Sequence, residues 1–168
     1  TAQFFSPSEI IMIDQDDNRL QVAKTFGATQ LINSNNENAV EKIMLLTKNK
    51  GVDVAIEAVG VPATFELCQE IIGAGGHIAN IGVHGKSVTL HLENLWSKNI
   101  TITTRLVDTV STPMLFKNVQ SGKLDPNKLI THHFKLDQIL KAYDTFGNAA
   151  NEKALKVSRE CLSLLGIK

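Results

Sequence analysis

The chain has 168 residues, 17 Lys plus Arg against 17 Asp plus Glu, 43% apolar residues and 5% aromatic ones. That is enough chain for one domain with a sizeable core, and the composition is neither disordered nor collagen-like. Charge neutrality argues against a nucleic-acid or anionic-membrane partner, because phosphate binding needs a concentrated excess of Lys and Arg.

No apolar run approaches the about twenty residues that span a membrane. The opening residues, Thr1 to Pro7, lack the basic start and long apolar stretch of a signal peptide, and no Met leads them. The chain therefore reads as a piece of a longer protein or a processed product. Cys68 and Cys161 stand far apart and match no metal or disulfide framework, which points to a reducing, cytoplasmic compartment.

In chain order, Glu9-Ile10-Ile11-Met12-Ile13-Asp14 is a continuous apolar run, as for a strand buried on both faces of a parallel sheet. Asp16 or Asp17 caps the helix that follows, which turns Leu20, Ala23 and Phe26 inward and stops at Gly27. Gln30-Leu31-Ile32 reads as a short strand. Val40, Ile43, Met44 and Thr47 share one face of the next helix.

Val52 to Glu57 is another strand, and Phe65, Cys68 and Ile72 line another helix. Gly76 to Gly82 leads back through the sheet. Ser87 to Leu90 and Ile100 to Thr104 are further extended, β-branched segments. Ser111-Thr112-Pro113 opens a helix with Leu115 and Val119 on one side, closed by Gly122. Leu129 to Phe134 is extended, and Asp137 caps a helix through Ile139, Leu140, Tyr143 and Phe146. Strand and helix alternate, so the expected architecture is α/β with right-handed crossovers and a doubly wound sheet. With no repeat and no linker in view, a single domain is the simpler reading.

Asp14 is the sharpest candidate for chemistry. It ends a strand at the carboxyl edge, where open α/β sheets bind ligands, and an acid there can accept hydrogen bonds from ribose hydroxyls. Such a charge repels a ribose phosphate. An ordinary turn-capping aspartate fits the same position. Arg19 could cover the ribose or adenine edge, or be a solvated charge.

Gly73-Ala74-Gly75-Gly76 follows a helix and precedes a strand, the reverse of a phosphate cradle, so it reads as a helix stop and tight turn. No G-x-G-x-x-G occurs. Ala58-Val59-Gly60 and Ile81-Gly82-Val83 each close a strand, where a glycine lets a ligand approach the backbone; ordinary turns would look the same. His77, His84 and His91 lie in different local contexts, and His132 and His133 point to opposite faces of a strand. With only two distant cysteines, a structural zinc cluster is not expected. No Gly-x-Ser-x-Gly elbow or Cys-His pair suggests hydrolysis.

Taken together, the strings resemble the zinc-dependent medium-chain alcohol dehydrogenases, especially a formaldehyde-dehydrogenase-like bacterial branch. The carriers are Ile11-Met12-Ile13-Asp14 with Arg19, Ala23 to Thr29, Gly51 to Gly60, Ile72 to Ile78, and Ile81-Gly82-Val83-His84-Gly85. Ser121 to Pro126 and Leu129 to His132 resemble that family's return toward its catalytic domain.

The resemblance implies a Rossmann-like doubly wound sheet, missing its first strand and glycine loop. Residues 1–157 would be a partial NAD-binding domain with the return segment, and 158–168 a divergent tail. It assigns Asp14 and Arg19 to the adenosine ribose, Ala58, Val59 and Gly60 to the nicotinamide-side ribose, and Ile81 and Val83 to the nicotinamide. Thr104, Arg105 and Leu106 fall near the segment completing that pocket, with Arg105 where a small residue is usual. Lys153 falls near a pyrophosphate contact.

NAD is the implied cofactor. Zinc belongs to the intact family enzyme, with ligands amino-terminal to this segment, so none is expected in it. The implied function is the cofactor-binding part of an NAD-dependent alcohol or aldehyde hydride transfer, inactive alone, in a homo-oligomer joined by an edge strand. Its partner would be a small alcohol or aldehyde, with no nucleic acid and no membrane. The alternative is a non-catalytic nucleotide-binding or scaffold domain; upstream Cys and His ligands would distinguish the two.

Overall fold

A computed structural model describes residues 1–106 and 109–160, with the side chains of 159 and 160 left aside. Cys161 and the rest of the expected tail, 161–168, lie outside the described residues. The chain divides into two compact units, Thr1–Asn33 with Val110–Lys168, and Ser34–Thr109.

In the first unit, β1 (Ile11–Asp14), α1 (Asp17–Thr25) and β2 (Gln30–Asn33) form a parallel β-α-β element. Ile13 lies opposite Ile32, which is completely buried, and α1 contributes the buried Leu20. Asp16 is the cap of α1, its carboxylate accepting from the Asn18 and Arg19 amides at 2.7 and 3.3 Å. β1 is only half-buried, with Met12 exposed, rather than covered on both faces. Among the described residues it pairs with one strand alone.

The same unit carries α5 (Thr112–Gln120), β6 (Ile130–Lys135), α6 (Ile139–Gly147), α7 (Ala149–Glu152) and β7 (Lys156–Glu160), with β6 and β7 parallel. Asp137 does not cap α6. It sits inside a 3-10 turn, Leu136–Gln138, and the Gln138 side chain reaches back to accept from the Lys135 amide at 3.1 Å. His132 stacks on Phe134, two residues along the same strand face.

The second unit holds a parallel sheet of order β3-β4-β5: β3 (Val52–Glu57), β4 (Ile72–Asn80) and β5 (Thr101–Thr104). In register, Ala55 lies opposite Ile78 and Ile78 opposite Ile102. The helices α2 (Ala39–Leu46) and α3 (Pro62–Ile71) pack together. Ile43, Phe65, Cys68, Ile71, Ile72 and Ile78 are buried with Leu95, which belongs to the short α4 (Leu92–Leu95). Removing this apolar area from water is the main stabilising contribution. The opposite face of β3 leaves Val54 and Ile56 exposed.

Two further local readings change. Gly73 to Gly76 is not a turn ahead of the strand but an irregularity within β4, because Val52 pairs with Ile72 while Val54 already pairs with His77. Small residues tolerate such looping-out. Ser87 to Leu90 forms no strand. The buried Gln69 side chain takes the place of a neighbouring strand there. Its amide donates to the Thr89 carbonyl at 3.0 Å and its oxygen accepts from the His91 amide at 2.8 Å.

Candidate functional site

The carboxyl ends of β3, β4 and β5 stand side by side, because Glu57 pairs with Asn80 and Asn80 with Thr104. Each strand runs directly into one of the segments singled out in the sequence. Ala58, Val59 and Gly60 follow β3; Ile81 and Val83 follow β4; Leu106 follows β5, after Arg105, whose amide donates to the Asn80 carbonyl at 3.4 Å. Ile81 and Gly82 donate their amides back to the Glu57 carbonyl at 2.8 and 3.1 Å. Val59, Ile81, Val83 and Leu106 are all exposed, Val83 and Leu106 at 79%. The result is an open apolar ledge at the ends of three parallel strands, the edge at which open α/β sheets bind ligands.

Asp14 and Arg19 form a second cluster in the other unit. Asp14 ends β1, and its Oδ1 accepts from the Gln15 and Asp16 amides at 2.8 and 2.9 Å. Arg19 Nη1 lies 3.9 Å from the same oxygen, with both side chains partly exposed. Lys153 closes α7 with φ 55°.

The two strand-end turns touch backbone to backbone. A Cβ on Gly60 would collide with the Val83 carbonyl, and one on Gly82 would collide with Gly60 and the Glu57 carboxylate. Both glycines are therefore demanded by turn packing itself.

Sequence reasoning missed what lies beneath them. Glu57 is 1% exposed, and its Oε1 accepts from the Val59 and Gly60 amides at 2.9 and 2.8 Å and from the Thr64 hydroxyl at 2.6 Å. Burial, the strongest influence, pushes its pKa up. Thr64, the Gly60 and Val59 amides and His84 together outweigh it and hold the carboxyl below its usual value. That stabilisation is complete above the unfolded glutamate pKa and lost as pH falls through the lower folded value. The signal was present: an acid inside an apolar strand needs partners. Cys68, by contrast, is inert, its thiol pushed up to about 11 by burial and then by the Glu57 charge.

Two clefts, of about 480 and 500 Å³, lie one beside α3 and one beside α6, and no residue of the ledge lines either. Being open, the ledge is not a cleft; the convergence of three strand ends locates it. Among the described residues no cluster of His, Cys, Asp or Glu could hold a metal ion.

Residues 5–121 match the family described as "Zinc-binding dehydrogenase". The chain belongs to that family. An alcohol dehydrogenase from Cupriavidus necator is 35% identical over 151 residues, covering 88% of this chain and 41% of that protein. The solved zinc-dependent alcohol dehydrogenase 2 from Streptococcus pneumonia, in apo form, is 52% identical with a TM-score of 0.89, covering 96% of this chain and 48% of that one. Alcohol dehydrogenase TADH from Thermus sp. ATN1 is 30% identical with a TM-score of 0.86, covering 94% and 45%. The chain thus spans less than half the length of these relatives. Its fold is the Rossmann-like α/β arrangement of parallel strands with flanking helices. The described residues do not fit a zinc site, so no zinc step is derived from them.

Proposed function

We propose that the chain is the NAD-binding part of an alcohol dehydrogenase that, in the intact protein, moves a hydride between an alcohol and its aldehyde. The observation that carries this reading is the convergence of Ala58–Gly60, Ile81–Val83 and Leu106 at three adjacent strand ends. Family membership supports it. Asp14 accepts hydrogen bonds from the adenosine ribose hydroxyls with Arg19 beside it, and Lys153 serves the pyrophosphate. Ala58, Val59 and Gly60 receive the nicotinamide-side ribose, while Ile81, Val83 and Leu106 hold the nicotinamide. The dinucleotide supplies the hydride acceptor and donor.

Zinc in this reading is held by the rest of the intact enzyme, and the chain alone does not oxidise alcohols. The working compartment is the cytoplasm; no described helix is long and apolar enough to cross a membrane. Amide NMR during titration of the chain with NAD and NADP tests the assignment. The Asp14, Gly60 and Val83 signals are expected to move, at lower concentrations of NAD than of NADP. Signals that stay still, or tighter NADP binding, would overturn it.

The same reading includes a homodimer through β5, an edge strand among the described residues. Thr101, Thr103 and Thr104 are exposed along it. Unpaired edge groups invite pairing with a second copy across a two-fold axis. Ile102→Pro removes a backbone donor and is expected to weaken the dimer while leaving the rest of the chain folded. Sedimentation that gives a monomer at high concentration, or a dimer indifferent to this substitution, would rule the interface out.

A further inference from the structure

Two buried side-chain polar atoms among the described residues have no hydrogen-bond partner, and both lie at the seam between the turns after β3 and β4. They are Oε2 of Glu57 and Nδ1 of His84. His84 Nε2 is 3.3 Å from that Oε2 and 2.8 Å from Asn80 Oδ1. With two acceptors facing it, Nε2 carries the proton; it donates to Asn80 and lies beside the carboxylate at ion-pair distance. Asn80 in turn donates to the Gly82 carbonyl at 3.3 Å. The His84 ring sits edge-on to Phe65, with centroids 6.1 Å apart.

The chain of contacts is therefore continuous. It runs from the Val59 and Gly60 amides to Glu57, on to His84 and Asn80, and ends at the Gly82 carbonyl. Ordering the first turn of α3 requires only the Oε1 half, through Thr64 and the two amides. The His84 half serves the other turn. Leaving His84 Nδ1 without a hydrogen-bond partner in the interior costs stability, so the placement of this ring is not explained by stability alone.

We propose that Glu57 and His84 are positioning residues that lock the two turns together and so set the ledge on which the nicotinamide half of the dinucleotide docks. The proposal rests on the NAD reading above. It predicts a split that a general structural role would not produce: loss of the clamp weakens NAD but not AMP, which lacks the nicotinamide half.

The test uses the full 168-residue chain, labelled with nitrogen-15. Long-range proton–nitrogen correlation is expected to find His84 as the Nε2–H form; an Nδ1–H form would overturn the clamp even if every variant failed to fold. His84→Phe keeps the ring beside Phe65 and removes the donor. It is expected to weaken NAD about tenfold with AMP affinity unchanged, the upper end of what one neutral hydrogen bond contributes, since the bond lost is the one to Asn80. His84→Gln, which retains a donor N–H, is expected to recover part of the loss. If NAD moves the Val59, Gly60 and Val83 amides equally in wild type and His84→Phe, the clamp fails and the NAD reading stands. If NAD moves none of them in wild type, both fail together.

Discussion

Replacing Asp14 with glycine in the intact enzyme is expected to raise NADP use relative to NAD by about tenfold or more. Like charges about 4 Å apart repel by about 1 kcal/mol in water and about 4 kcal/mol at a partly shielded protein surface, and 1.4 kcal/mol is tenfold. Asp14 is partly exposed, so the lower part of that range applies. The Arg19 guanidinium 3.9 Å away offsets some of the carboxylate charge now and would face a ribose phosphate without competition once Asp14 is gone. Asp14→Asn separates charge from hydrogen bonding, since it keeps an oxygen that can accept from the Gln15 and Asp16 amides. Both variants should shift the ratio of kcat/KM values for the two cofactors. An unchanged ratio in both would remove Asp14 from the proposed ribose site.

How much of this was legible depended on whether the cause was local. The strand Val52–Glu57 coincides with its sequence pattern, and Asp16 caps α1 as its position before the helix suggests, because both depend on near neighbours. The turns Ala58–Gly60 and Ile81–Val83 were legible as strand ends, but that they touch was not. That depends on β3 and β4 being adjacent, a matter of sheet order. Ser87 to Leu90 has strand-forming residues, yet its backbone is held by the Gln69 side chain about twenty positions earlier. His84 belonged to no histidine pattern, since its partners Glu57 and Asn80 are not histidines and come from two different strand ends.

The contact between the two turns has its own consequence for stability, and four glycines of the Ser34–Thr109 unit separate its components. Gly85 has open space around it and no positive φ, so Gly85→Ala is expected to change stability by less than about 0.5 kcal/mol. Gly75 has φ +73° with nothing within 4 Å of an added Cβ; alanine there meets only the left-handed backbone cost of about 1–2 kcal/mol. Gly82 has the contact without the conformation. A Cβ would press on the Glu57 carboxylate and lie 2.8 Å from the Gly60 Cα, an overpacking that costs about 1–3 kcal/mol. Gly60 has both, with φ +87° and a Cβ that would lie 2.6 Å from the Val83 carbonyl carbon and 2.8 Å from its nitrogen. Every atom it would strike is backbone, so no rotamer change relieves the clash. Gly60→Ala is therefore expected to be the worst of the four, by about 3 kcal/mol or more relative to wild type. Urea unfolding midpoints at unchanged slope would measure the series. If Gly60→Ala proves no more costly than Gly75→Ala, the turns after β3 and β4 are not packed against each other in solution, and the clamp beneath them has nothing to hold.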